Sequence, residues 1–195
     1  MSIEKWATLS SRPVISDRWV NLRADSCLRS DGITIDPFYV LTQSEWVSVF
    51  ALTTGGEVVL VEEYHHGAGT VGIGLPGGVV EASDGSAIEA AARELREETG
   101  FRAEQLTSLG ATWANWGNQT NRVHHVLATG CHRVGEPTLD ESEQIRVHVI
   151  SRSDFDPMSL QQSYHQLTSL LAERLSHGGV EQAVRADLLA RPQHQ

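Results

Sequence analysis

Residues 75–101, LPGGVVEASDGSAIEAAARELREETGF, decide how the rest of the chain is interpreted. Ser86 followed by Glu89 has the spacing of a capping box, so Ser86 is predicted to be the N-cap of a helix. Gly100 stands where a glycine commonly ends a helix. Most residues between them favour the helical conformation. The stretch therefore predicts one helix from about residue 87 to residue 99.

Three glutamates on this helix, Glu94, Glu97 and Glu98, are three and four residues apart and share one face. Hard divalent cations such as Mg²⁺ prefer oxygen ligands of this kind, and Arg93 can offset one of the negative charges. Glutamates at this spacing are also common on solvated helices, so the spacing alone leaves both interpretations open. Gly77 and Gly78, just before the helix, allow a tight turn or a close approach to a ligand.

From Gly78 onward the sequence resembles the Nudix box, usually written GX5EX7REUXEEXGU, where U is aliphatic or aromatic. The run from Arg93 to Phe101 matches its second half at every defined position. The first half departs, because Asp84 stands at the usual glutamate position and eight residues rather than seven separate it from Arg93. We expect this to weaken the chemistry of the loop without abolishing activity.

A wider resemblance, to the ADP-ribose and nucleotide-sugar pyrophosphatase branch, covers most of the chain. It is carried by the segments DRWVNLRAD, WVSVFAL, VVLVEEYHHG, LPGG and EQIRVHVI. It implies an α+β Nudix fold, an α/β/α sandwich with a mixed β-sheet. Residues 1–42 would be a short N-terminal β arm, a possible dimerisation element, and residues 43–195 the hydrolase domain. Gly74 and His65 depart from the glutamate and arginine that are frequent at these positions.

The resemblance implies Mg²⁺-dependent hydrolysis, with Mn²⁺ also possible, of a nucleoside diphosphate linked to another group. ADP-ribose and nucleotide sugars are such compounds, and the products would be a nucleoside monophosphate and a sugar phosphate. It assigns Glu94, Glu97, Glu98 and the Gly77 carbonyl to the metal, with Arg93 holding a glutamate. Two other functions stay open: a non-catalytic module that senses a nucleotide sugar, and a hydrolase of nucleoside triphosphates or dinucleoside polyphosphates.

An acidic loop with Asp140, Glu141 and Glu143 precedes an alternating strand from Ile145. Alone it is typical of a solvated turn, but related hydrolases carry a further acid here. The resemblance therefore makes Glu141 the expected general base, and Glu143 the alternative or an added metal contact.

A polar, aromatic segment from residue 113 to residue 121 is predicted to be a loop, and loops often carry binding groups. Its tryptophans could stack on a base, or they could be partly buried packing residues. The candidate substrate-binding residues are Trp113, Asn115, Trp116 and Arg122.

The rest of the chain predicts mainly strands. Residues 1–42 have the pattern of turns and short extended pieces, and a hairpin at Thr54-Gly55-Gly56 is expected to join two strands. Residues 64–78 carry six glycines, which suggests a wall of a ligand site or, for the first three, a flexible connection. A helix is predicted from about Ser159 and another over 180–189. Of the adjacent pairs His65/His66 and His124/His125, at most one member each could face a site.

Composition and charge exclude some partners. The net charge of −10 argues against a nucleic-acid surface, which needs a basic patch. No segment has the length of a membrane span or the pattern of a signal peptide, so no membrane partner is expected. Cys27 and Cys131 lack metal-site spacing and are expected as free thiols in the cytoplasm. The expected partners are a small nucleoside diphosphate compound and a second copy of the chain.

Overall fold

The computed structural model describes residues 3–140 and 143–176. These form two compact units: one reaches from the N-terminus to Trp46 and includes Ala111–Val123, and the other comprises Val47–Gly110 and the chain from His124 onward. Glu141 and the expected helix over 180–189 lie outside the described residues.

The first unit contains a three-stranded antiparallel sheet in the order β1 (Ala7–Ser16), β2 (Asn21–Leu28), β3 (Thr34–Thr42). Its strands are longer than the short extended pieces that the sequence predicts. Gly32 forms one of the turns expected in residues 1–42: the Gly32 N–H donates to the Arg29 carbonyl, and its φ of 86° suits glycine. Leu41 exchanges backbone hydrogen bonds with Asn118 and Thr120, which ties Ala111–Val123 to β3.

The second sheet is mixed and has seven strands, in the path β10-β5-β4-β9-β7 with β6 paired to β5 and β8 paired to β9. The strands are β4 (Trp46–Thr53), β5 (Val58–His65), β6 (Thr70–Gly74), β7 (Phe101–Arg102), β8 (Gln105–Trp113), β9 (Arg122–Arg133) and β10 (Ile145–Ile150). The hairpin between β4 and β5 is confirmed. β6 was not predicted, because it lies inside the glycine-rich segment.

Two helices cover this sheet, α1 (Ala87–Thr99) and α2 (Ser163–Ser176), the latter preceded by a short 3₁₀ helix, Pro157–Ser159. The alternation of side chains along β4 assigns residues to two cores. Val47, Val49 and Ala51 pack with Leu95 of α1, whereas Phe50 packs with Ala172 of α2. Helices on both faces of a mixed sheet confirm the predicted α/β/α sandwich. The second helix begins at Ser163, later than predicted.

Two further expectations concern the whole chain. Cys27 and Cys131 are buried free thiols, as predicted. No helix in the described part of the chain is long and apolar enough to cross a membrane.

Candidate active site

Helix α1 has the caps that its sequence predicts. The Ser86 hydroxyl accepts a hydrogen bond from the Glu89 N–H, and Gly100 adopts the left-handed conformation with φ of 73°. Ala90, Ala91 and Leu95 are fully buried against the sheet. Because of the helical period, the same orientation brings Glu94 and Glu98 to the edge of that buried surface, where both are buried.

Arg93 donates hydrogen bonds to the carboxylates of three acidic residues, Asp84, Glu94 and Glu97. Its Nε and Nη2 atoms donate to the two carboxylate oxygens of Asp84 at 3.1 and 3.0 Å. Its Nη1 atom donates to Glu94 at 2.9 Å and to Glu97 at 3.0 Å, and Nη2 also reaches the Val79 carbonyl at 2.8 Å. Bidentate pairing of this kind fixes both partners strongly. Asp84, which departs from the family pattern, therefore anchors the arginine that orients two of the three glutamates.

Glu98 is fixed from the other side by the glycine pair. Its Oε2 atom accepts a hydrogen bond of 2.8 Å from the Gly77 N–H. A Cβ atom on Gly77 would collide with the Val47 carbonyl, and one on Gly78 would lie 2.5 Å from Glu94 Oε1. Gly77 therefore requires glycine, because its backbone runs directly against strand β4, and a side chain at Gly78 would displace the Glu94 carboxylate.

The electrostatics of the cluster oppose ionisation. Burial raises the pKa of Glu94 to about 7, although the Arg93 guanidinium acts in the other direction. Burial also raises the pKa of Glu98 well above its ordinary value, and the charges of Glu94, Glu143 and Glu63 add to the increase. Carboxylates that repel one another in a buried place become ionised more readily when a cation joins them.

The donor set fits a hard divalent cation. In Glu94, Glu97 and Glu98, one carboxylate oxygen is bonded to Arg93 or to Gly77, and the other makes no hydrogen bond to a described residue. Oxygen donors of this kind are what Mg²⁺ and similar ions take. Among residues 3–140 and 143–176, no group of three or more His, Cys, Asp or Glu side chains has the arrangement of a metal site. The metal assignment, including the Gly77 carbonyl, therefore stays a prediction.

In the late acidic loop, the structure describes Glu143 but not Glu141. The Glu143 Oε2 atom accepts a 3.0 Å hydrogen bond from the Asp140 N–H, and the Glu143 N–H donates to the Asp140 carbonyl. The charge of Glu143 contributes to the raised pKa values of Glu63, Glu94 and Glu98, so this loop lies within electrostatic reach of the α1 glutamates. Whether Glu141 or Glu143 is the base stays a prediction.

Comparison with known proteins decides the family. The pattern described as NUDIX domain matches residues 44–171, and that described as nucleoside diphosphate sugar hydrolase N-terminal domain matches residues 6–41. The chain belongs to the Nudix hydrolase family. Residues that form the family's sequence pattern are thus the ones that the structure clusters around Arg93.

Relatives of this Nudix hydrolase include two ADP-ribose pyrophosphatases. That of Bacillus subtilis is 30% identical over 109 residues, 55% of this chain and 58% of the relative. That of Mycobacterium tuberculosis is 29% identical over 143 residues, 73% and 69% of the two chains. A methanol dehydrogenase activator of Bacillus methanolicus is 28% identical over 137 residues, 70% and 73%. A crystal structure of an ADP compounds hydrolase shares the fold, with a TM-score of 0.79, 21% identity, and coverage of 92% of this chain and 100% of the other.

The Nudix hydrolase's predicted substrate-binding residues all lie in the unit that includes Ala111–Val123, whereas the α1 glutamates lie in the other unit. The Arg122 guanidinium lies 4.9 Å from the centre of the Trp113 ring. The Asn115 side chain forms its hydrogen bonds within the loop: it donates to the Asn118 side chain and accepts from the Gly117 N–H. Trp116 is 86% exposed and Trp113 is 48% exposed, so neither tryptophan is a core residue.

Sequence reasoning missed three polar residues of this Nudix hydrolase. Glu63 on β5 is partly buried, and burial raises its pKa; a glutamate inside an otherwise apolar strand pattern was the available signal. Asn121 is buried, and neither of its side-chain polar atoms has a hydrogen-bond partner among described residues. His165 contacts the segment after β6 from 90 residues away, and no local pattern signals that contact.

Proposed function

We propose that this Nudix hydrolase cleaves, with Mg²⁺, the diphosphate of a nucleoside diphosphate linked to a sugar, such as ADP-ribose. The products would be a nucleoside monophosphate and a sugar phosphate. One observation carries the proposal: Glu94, Glu97 and Glu98 each keep one carboxylate oxygen without a hydrogen bond to described residues while Arg93 and Gly77 hold the other. An arrangement that holds three carboxylates against their own repulsion suits a site that receives cations.

In the proposed reaction, a water oxygen attacks one phosphorus and the bond from that phosphorus to the bridging oxygen breaks. A divalent cation bound by the α1 glutamates would lower the pKa of the water and offset the charge of the phosphates. Glu141 accepts the proton of the water, and the bridging oxygen leaves with the other phosphate. Glu143 is the alternative base or an added metal contact. Arg93 acts by fixing Glu94 and Glu97 rather than by touching the substrate.

At the nucleoside end, we propose that Trp113 and Trp116 offer flat surfaces for the base. The exposure of both rings supports this, because a stacking platform must be open to its ligand. Arg122 lies against the Trp113 ring and keeps a positive charge near that surface. Asn115 fixes the loop between the two tryptophans through Asn118 and Gly117.

We also propose a homodimer in the cytoplasm that uses the N-terminal sheet. All ten residues of β1 are exposed, among them Leu9, Val14 and Ile15. An exposed apolar edge strand is a liability unless a partner covers it. The buried free thiols are in keeping with a reducing compartment.

A substrate panel tests the function. Purified protein is incubated with ADP-ribose, UDP-glucose, GDP-mannose, ATP and diadenosine tetraphosphate, each with Mg²⁺, with Mn²⁺ or with EDTA, and products are identified by mass. The proposal expects a nucleoside monophosphate and a sugar phosphate from at least one sugar compound, and none in EDTA. Faster cleavage of ATP or the dinucleotide contradicts the substrate class. Binding of a sugar compound with no product under any metal favours a sensing module instead.

A further inference from the structure

A cavity of about 180 Å³ lies between strand β6 and the beginning of helix α2, within the second compact unit. Its polar lining includes His65, Thr70, Gln161, Gln162 and His165. Among the described residues that line it, no side chain is an aspartate, glutamate, lysine or arginine. A cavity of this kind suits a group that forms hydrogen bonds but carries no charge, and it does not suit a phosphate.

Two glycines of β6 give the cavity its shape. Gly72 and Gly74 are two residues apart and share one face of the strand. A Cβ atom on Gly74 would lie 2.7 Å from both Nδ1 and Cε1 of His165, and one on Gly72 would lie 2.5 Å from Gln161 Oε1. Gly74 therefore leaves room for an imidazole at a position where the related sequences often place a glutamate.

His165 presents a defined hydrogen-bond donor to this space. Its Nδ1 atom accepts a 3.0 Å hydrogen bond from the Leu75 N–H, which leaves the proton of the neutral ring on Nε2. Burial lowers the pKa of His165 to about 3, so the ring is neutral near pH 7. His165 is only 8% exposed and belongs to the lining of the cavity. A neutral imidazole donor in an uncharged lining suits a ligand hydroxyl.

We propose that this cavity binds the sugar of the diphosphate substrate, with the His165 Nε2–H donating to a sugar hydroxyl. This rests on the proposed function and adds the part of the protein that recognises the non-nucleoside end. The volume corresponds to about six waters, the scale of a single sugar ring. Gly74 in the lining is three residues from Gly77, whose N–H donates to Glu98, so the backbones of Gly74 and Gly77 lie at most about 11 Å apart. A sugar joined directly to a diphosphate at the glutamates can span that distance.

The test compares equilibrium binding of ADP-ribose and ADP by calorimetry with Mg²⁺, each as its α,β-methylene analogue, which cannot be cleaved at the bridging position. The two ligands share the base and the two phosphorus atoms, so a change in their affinity ratio between variants reports the sugar. His165→Asn keeps an acceptor for the Leu75 N–H and removes the donor. Ala68→Leu narrows the cavity without changing His165. Val71→Leu, on β6 but outside the cavity lining, is the matched control, and thermal melting verifies that each variant folds.

Parent and Val71→Leu should bind ADP-ribose more tightly than ADP by about tenfold or more. The ratio should fall by about five- to tenfold in His165→Asn, the loss of one hydrogen bond, and should approach one in Ala68→Leu. Equal binding of the two ligands by the parent, including no measurable binding of either, overturns the proposal, as does an unchanged ratio in Ala68→Leu. A parent that keeps the preference but cleaves nothing with Mg²⁺ retains the sugar site and loses the hydrolase function. A parent that cleaves ADP-ribose but binds it no more tightly than ADP retains the hydrolase function and loses the sugar site.

Discussion

Asp84 shows how a departure from a family pattern can keep the pattern's structural role. Its carboxylate is held by two hydrogen bonds from Arg93, which lower its pKa, and its side chain is only 7% exposed. We expect Asp84→Asn to lower the free energy of unfolding by about 1–3 kcal/mol, because a buried charged pair loses one partner. Asp31→Asn, which breaks the exposed pair with Arg29, should cost less than about 1 kcal/mol. Urea unfolding measures both, and equal costs would contradict the anchoring role.

Glu94 gives the protein a pH dependence of its own. Burial raises its pKa to about 7, so between about pH 5 and pH 7 the folded chain keeps a proton that the unfolded chain releases. In EDTA, the contribution of this carboxyl to the free energy of unfolding should therefore fall as the pH rises through this range, whereas the buried neutral His125 and His165 contribute in the opposite direction. The curve of Glu94→Gln should lack the Glu94 contribution and so differ in slope from that of the parent, whereas Glu136→Gln, which removes an exposed glutamate, should follow the parent. Parallel curves for the parent and Glu94→Gln would show that this carboxyl is not the cause.

Two residues are candidates for the general base, Glu141 and Glu143, and a pair of variants separates them. A general base contributes about 10²–10⁴-fold to the rate. Glu141→Gln should therefore lower kcat by that range with little change in KM, while Glu143→Gln keeps more activity. Steady-state kinetics on the substrate found by the panel provides the measurement. The reverse order of the two losses would transfer the role to Glu143.

The sequence predicted single residues well where the partners are near in the chain. The Ser86 and Gly100 caps follow from spacing alone, and the structure has both. The contact of His165 with Leu75 could not be predicted, because it depends on a helix packed 90 residues later. The same holds for Asp84, whose pairing with Arg93 depends on how the loop folds back on the helix.

At the scale of elements, strand β6 and helix α1 show the limits of local pattern. Helix α1 was predictable because its caps and its apolar face agree. Strand β6 was missed because Gly72 and Gly74 signal a turn in a local reading. Glycine is found at these two positions because the Gln161 and His165 side chains lie close against the strand, and a local sequence pattern does not contain that contact. Glycine in a strand often marks such a close approach by another part of the protein.

The end of helix α1 allows a prediction at this scale. Gly100 has φ of 73°, and a Cβ atom there would collide with the Gly135 carbonyl. Gly56, in the β4–β5 hairpin, has φ of 79° but nothing within 4 Å of the same atom. Gly56→Ala should therefore cost only the conformational penalty of about 1–2 kcal/mol, and Gly100→Ala should cost more. Chemical unfolding of both variants decides, and a smaller loss for Gly100→Ala would contradict the packing argument.

At the scale of the whole molecule, the proposed binding residues are distributed over both compact units. The α1 glutamates and the cavity beside His165 belong to one unit, and the exposed tryptophan loop belongs to the other. The segment Ala111–Val123 is the part of the chain that departs from sequence order, because it joins the N-terminal unit. Sequence order alone could not show this, since the pairing of Leu41 with Asn118 is made across the chain.

The exposed surface of the N-terminal sheet allows a prediction about the oligomeric state. Leu9 on β1 is 57% exposed, in a strand whose residues are all exposed and which lies at the edge of its sheet. Covering this strand with a second copy would remove apolar surface from water, so light scattering after gel filtration should give the mass of two chains. Leu9→Lys should shift the mass toward one chain, because a charge in the interface must lose water. Ile33→Lys, at an exposed position just before β3, should leave the mass unchanged. A monomeric parent protein, or equal effects of the two lysines, would leave β1 without a role in assembly.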